Sequence, residues 1–157
     1  MSCPQAPYRF VVERPLGRLA KWLRLLGFDT LYDTQGYFDT AVIGETQDRI
    51  RLTRSPSQKD FESEKDLIYI SFDNVFLQLK QLVGLLGLGE TDLHLFSRCL
   101  RCNIIIVGID KSEALGQVPD YIWETKKCFN RCVGCGRIYW SGSHDQRVRA
   151  RIADLFA

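Results

Sequence analysis

"RFVVERPLGRLAKWLRLLGFDTLYD", residues 9–33, decides the fold. Phe10, Val11 and Val12 form a short apolar run that reads as a strand. Pro15 suits the first turn of a helix, where its missing N–H costs nothing. Leu16, Leu19, Ala20, Leu23 and Leu26 then recur at helical spacing, and Gly27 is a natural stop. "DTLYD", 29–33, reads as a second strand. Strand, helix and strand in succession predict parallel pairing and a helix-covered sheet. Glu13 puts a carboxylate at the end of the first strand, just before the helix.

The pattern continues to about residue 90. "FDTAVIGETQ", 38–47, predicts a helix with Asp39 as its N-cap. "RIRLT", 49–53, alternates like a strand, and "SPSQKDFESEKD", 55–66, is a turn followed by a polar helix or loop. "LIYIS", 67–71, is a continuous apolar run, as in a strand buried on both faces. "DNVFLQLKQLVGLLG", 73–87, predicts a helix with Val75, Phe76, Leu79, Leu82, Val83 and Leu86 in one stripe. "LGLGETD", 86–92, marks a boundary, giving a domain over 1–92 and a module over 93–157. Beyond it come short β-like pieces, turns and paired cysteines.

Ligands of open parallel sheets bind beyond the carboxyl ends of the strands. The residues there are Glu13, Asp33, Ser55 and Asp73, with Asp39 just after the second strand. Glu13, Asp39 and Asp73 are therefore candidates to share a cleft. Simpler roles compete. Asp39 and Asp73 each stand where a helix cap is expected, and Glu13 has Arg14 and Arg18 as nearby ion-pair partners.

Composition is that of an ordinary globular chain, with 45% hydrophobic and 25% charged residues. No apolar run approaches the ~20 residues of a membrane span. No charged start followed by an apolar segment marks a secretory signal, so a cytoplasmic protein without a membrane partner is expected. Charge divides unevenly. Residues 1–93 carry 11 Lys/Arg against 13 Asp/Glu, whereas residues 94–157 carry 10 against 6. A basic second part suits a module that grips a polyanion.

Six cysteines occur in a chain expected to be cytosolic, where disulfides are not the default. Cys99 and Cys102 form one C-x2-C, Cys132 and Cys135 another, with 29 residues between the pairs. Two such turns complete a tetrahedral sulfur site for structural Zn2+ with no open position for water. Gly134 and Gly136 fit a tight second knuckle. Cys128 is a competing ligand that lacks the knuckle spacing, and Cys3 receives no role.

Arg14, Arg18 and Lys21 lie at i, i+4 and i+7, with Arg24 extending the row toward a phosphate-gripping face. The plain alternative is a solvated helix face. The module adds Arg137, Tyr139, Trp140, His144 and Arg147 among further basic residues. Cations interleaved with aromatic rings suit single-stranded nucleic acid. Tyr139 and Trp140 serve equally well as the small core of the module, and His144 as a turn histidine.

The elements "RFVVERPLGRLAKWLRLLGFDTLYD", "RIRLTR", "LFSRCLRCN", "VPDYIWET" and "CVGCGRIYWSGSH" together resemble the Mut-seven C-terminal RNase domain family. The resemblance implies a PIN-like α/β parallel sheet flanked by helices, followed by a small zinc ribbon. It further implies metal-dependent cleavage of RNA, single-stranded or structured, with Mg2+ or Mn2+ on carboxylates at the strand ends. Glu13, Asp39 and Asp73 match the family's acids, with Arg54 or Arg18 placed to stabilise phosphate. Two positions depart from the pattern. Glu13 stands where the family usually has Asp, moving the oxygens by about 1.5 Å. Ser55 stands where an acid is usual, which removes a charge. The expected function is a PIN-like ribonuclease impaired at Ser55; the alternative is a catalytically inactive RNA-binding or protein-docking zinc-ribbon protein.

Overall fold

The computed structural model describes residues 6–34, 48–56 and 66–157. Four parallel strands, β1 (Arg9–Val12), β2 (Asp29–Tyr32), β3 (Ile50–Thr53) and β4 (Leu67–Tyr69), pair in the order β2-β1-β3-β4. Side chains alternate across a strand, so β1 divides its apolar run between the two faces. Phe10 and Val12 turn toward α1 (Gly17–Leu25) and α2 (Val75–Leu86), within a core containing Leu19, Leu23, Leu79 and Leu82. Val11 packs on the opposite face with Leu67 and Leu31. The predicted helix over 38–47, most of the 55–66 stretch, Asp39 and Cys3 lie outside the described residues.

The entry to α1 follows the expected chemistry. Pro15 sits in a 3-10 turn, Arg14–Leu16, that leads directly into the helix. Gly27 closes it with φ of 99°, in the left-handed region. A Cβ there would also lie 2.5 Å from the His94 carbonyl oxygen. Both constraints favour glycine. At α2 the cap differs from expectation. Asn74, not Asp73, is the N-cap, and its Oδ1 accepts from the Phe76 and Leu77 amides at 2.8 and 3.3 Å. Asp73 therefore has no capping role.

The second part holds an antiparallel sheet, β5 (Val107–Ile109), β6 (Phe129–Arg131) and β7 (Ile138–Tyr139), with α3 (Asp120–Thr125) beside it. Phe129, Ile122, Ala114 and Val118 form its own small core. A final helix, α4 (Ser143–Phe156), is absent from the sequence-based expectation. Val148, Ile152 and Leu155 fall on one stripe of it and are buried in the same core as Phe10 and Leu79. The last helix thus crosses back over the change of character at 92/93 and completes the core of the first sheet.

Side chains also close the seam between the two parts. β2 is the outer strand of the described sheet, and an outer strand leaves backbone groups to satisfy. The Thr30 amide donates to Asn103 Oδ1 at 2.9 Å, and the Thr30 carbonyl accepts from Arg24 Nε at 2.9 Å. Asp29 accepts from Asn103 Nδ2 at 2.7 Å and from the buried Arg49 at 2.8 Å. Arg9 lies 3.3 Å from its other oxygen. Burial pushes the Asp29 carboxyl up, but hydrogen bonds from Arg49 and Asn103 outweigh it and hold the group at about 2.

Two outcomes are expected in urea unfolding. Ile152→Ala lowers stability by about 2–4 kcal/mol, because α4 fills the first core rather than trailing from it; an unchanged midpoint would contradict that packing. Asp29→Asn costs about 1–2 kcal/mol at neutral pH, the pair being partly screened. A carboxyl whose pKa is depressed on folding contributes stability above its ordinary value and loses it as pH falls. The gap between wild type and Asp29→Asn is therefore full above about pH 4 and closes toward pH 2.

Candidate functional site

Cys99, Cys102, Cys132 and Cys135 converge so that their sulfur atoms all lie within 4.8 Å of one another. The Cys99 and Cys135 sulfurs are 3.7 Å apart. Four sulfurs about 2.3 Å from a central ion would stand about 3.8 Å from each other in a tetrahedron. The arrangement can therefore hold a metal such as zinc. Each knuckle is a turn closed by its own backbone: the Asn103 amide donates to the Cys99 carbonyl at 2.9 Å, and the Gly136 amide to the Cys132 carbonyl at 2.9 Å. Gly134 sits against the cluster, where a Cβ would lie 2.7 Å from Ile104 Cδ1 and 3.6 Å from the Cys102 and Cys132 sulfurs. Cys128 is exposed and outside the group of four.

The surroundings favour a thiolate at Cys99. The Tyr139 hydroxyl donates to its sulfur at 3.1 Å while accepting from the Leu100 amide at 3.2 Å. The Cys102 amide points at the same sulfur at 3.4 Å. Burial pushes the Cys99 thiol up, yet these donors, with Tyr139 foremost, bring it down to about 6. Cys102 is pushed up to about 12, first by its hydrogen bond to Cys135. Burial and the hydrogen bond to Cys99 raise the Tyr139 hydroxyl to about 12, so it remains a donor.

At the strand ends, Glu13 and Asp73 are linked through Arg54. Glu13 Oε2 accepts from Thr53 Oγ1 at 3.0 Å and from the Arg54 amide at 2.8 Å. The Arg54 guanidinium donates to the Ile70 carbonyl at 2.9 Å and pairs with the Asp73 carboxylate. The Asp73 side chain is 94% exposed, so the pair faces solvent. The Ser55 amide donates to Thr53 Oγ1 at 2.9 Å, which places Ser55 next to the same group. A hard divalent cation needs several carboxylate oxygens in reach. Among the described residues, the four cysteines are the one group of three or more metal-ligating side chains drawn that close. Glu13 and Asp73 do not by themselves form such a centre, and Asp39 is outside the described residues.

Arg14, Arg18 and Lys21 are exposed, as a gripping face requires. Arg24 is not part of that face. Its Nη1 donates to the Leu100 and Arg101 carbonyls at 2.9 and 3.1 Å, so its charge is used on the first knuckle. Trp140 and His144 line one groove of about 690 Å3 with Tyr121 and Lys126. Arg137 lines a neighbouring open depression, while Arg147 is exposed on α4. Asn103, which joins the first knuckle to Asp29 and Thr30, carried no role in the sequence reading. Its position directly after Cys102 was the available signal.

A family model described as Mut7-C RNAse domain matches residues 8–152, nearly the whole chain. No curated protein and no solved structure matches it. No helix among the described residues is long and apolar enough to cross a membrane.

Metal analysis of the purified chain is expected to find about one zinc per chain, and Cys128→Ser to leave that value unchanged. Tyr139→Phe removes the donor to Cys99 and should weaken zinc about tenfold in chelator competition. Unaltered affinity in Tyr139→Phe would show that the hydroxyl contributes nothing to the site.

Proposed function

The chain belongs to the Mut7-C RNase domain family, and from that premise we propose that it acts on RNA as a phosphodiester hydrolase of the PIN-like class. The single observation that carries this reading is the family match over residues 8–152. In this reading Zn2+ on Cys99, Cys102, Cys132 and Cys135 is structural, because four thiolates leave no position for substrate. The reacting centre lies at the strand ends, with Glu13, Asp39 and Asp73 as its acids.

The chain's own residues suit parts of this chemistry. Arg54 binds Glu13 through its amide and carries its positive charge to Asp73, where it suits charge developing on a phosphodiester. Glu13 commits Oε2 to two donors, which fixes the carboxylate and leaves Oε1 to accept a proton from water. Arg14, Arg18 and Lys21 extend from this corner along the first helix and suit the RNA backbone. The described acids alone do not fit Mg2+ or Mn2+; a divalent centre here requires Asp39 as well.

A specific observation favours a second reading. Arg54 already neutralises Asp73, and Ser55 lacks the usual carboxylate, so the fold would bind RNA without cutting it. Cleavage of a mixed pool of labelled single-stranded RNAs separates the two, run with Mn2+, with Mg2+ and with chelator. Metal-dependent cutting by wild type that Asp39→Ala reduces at least a hundredfold is the expected result. Cutting that appears only in Ser55→Asp would assign the loss to one position. Silence in all three proteins would overturn the hydrolase reading and turn the balance toward the binding one.

A further inference from the structure

We infer that the knuckle module carries a nucleotide-binding subsite for single-stranded RNA, built from Arg101, Arg137 and Trp140. The inference rests on the reading of RNA as substrate. Arg101 carries no signal of such a role in the sequence. It stands inside the first knuckle, between Cys99 and Cys102, whereas Arg137 follows the second knuckle by two residues. The fold brings both to one open depression of about 520 Å3.

Three observations point to a phosphate there. First, both guanidiniums are uncommitted among the described residues, and both residues are exposed. Most other arginines near the seam are occupied. Arg24, Arg49 and Arg98 bind backbone carbonyls, and Arg131 binds Glu113. Second, no carboxylate lines the depression, and the one anionic group at its wall is the Cys135 sulfur, which belongs to the four-cysteine cluster. Third, Trp140 is shared. It borders this depression and also the larger groove of about 690 Å3 that holds Tyr121, Lys126 and His144. A ring that separates a cationic depression from an aromatic-lined groove matches the two halves of a nucleotide. The phosphate lies on the arginines, and the base stacks in the groove.

The metal cluster gives this subsite its geometry. The knuckle sulfurs are within 4.8 Å of each other, so the backbone at the two arginines is anchored to one centre. Four thiolates around Zn2+ carry a net negative charge, and the alternative duty of the arginines is to offset it. The half-buried Arg24, which binds the first-knuckle carbonyls, already offsets part of that charge. An exposed guanidinium contributes little to a charge that solvent already screens.

The test is fluorescence anisotropy of a labelled 12-nucleotide single-stranded RNA with the zinc-loaded full chain, in buffer without Mg2+ or Mn2+. Arg101→Gln and Arg137→Gln should each weaken binding about tenfold. Each should also lower the slope of log affinity against log salt by about 0.7. Zinc content should stay the same as in wild type. Trp140 also packs on the small core of the module. A chain of abasic ribose phosphates therefore tests its stacking on unaltered protein, and should bind about tenfold more weakly than the RNA. Wild-type binding that both arginine variants retain in full would overturn the subsite and leave the RNA reading standing. So would loss of zinc in the variants, equal affinity for the abasic chain, or equal displacement by polyglutamate, which would indicate an acidic protein partner. No RNA binding by wild type would overturn the subsite and the RNA reading together.

Discussion

The free edge of β2 makes two demands at Thr30, one for a donor and one for an acceptor. Thr30 is fully buried, so neither its N–H nor its C=O can turn to water without cost. Asn103 supplies the acceptor and Arg24 the donor, both at 2.9 Å. Asn103 holds its position because it ends the first cysteine knuckle, with φ of 65°. The knuckle therefore serves as the border of the parallel sheet. Asp29 reinforces this by holding Asn103 on one side and the buried Arg49 on the other. A seam made of directional, partly buried hydrogen bonds favours one relative placement of the two parts, where apolar contact alone would allow sliding.

That placement has consequences for the four-cysteine cluster. Arg24 reaches from the end of α1 to the carbonyls of Leu100 and Arg101, so the knuckle turn is held from outside as well as by its own amides. Tyr139, from β7, donates to the Cys99 sulfur and accepts from the Leu100 amide. One hydroxyl thereby links the two halves of the cluster. α4 closes the arrangement by burying Val148, Ile152 and Leu155 in the sheet's core, with Arg149 over the Phe96 ring at 5.2 Å. The strand-end acids lie on another part of the sheet. There the organising group is Arg54, whose amide binds Glu13 and whose guanidinium binds Asp73. Two uses of charge result, a structural one at the seam and a solvent-facing one at the strand ends.

Local pattern was sufficient where local physics decides. The Leu stripe of "PLGRLAKWLRLLG" predicted α1, and the short apolar runs predicted β1, β2, β3 and β4 within a residue or two. The paired C-x2-C spacing predicted the four-sulfur cluster because each knuckle is a turn of a few residues. Three readings did not hold or were missing. Arg24 was assigned to an open basic face, but its partners are 76 and 77 residues away in sequence. Asp73 was offered as a cap, a role taken by its neighbour Asn74. The stripe Val148, Ile152 and Leu155 was visible at helical spacing, but cysteines and aromatics drew the reading of that stretch.

The sequence by itself determined β1 to β4, α1 and α2, the parallel pairing of those strands and which four cysteines converge. These follow from periodicity and turn chemistry within a dozen residues. Only the tertiary structure decided which charges are committed and which are free, that Asn103 borders the sheet, and that Arg101 and Arg137 share one depression with Trp140. The physical reason is range. A guanidinium looks the same in sequence whether it meets water or a buried carbonyl, and contacts between residues some 70 positions apart choose between the two.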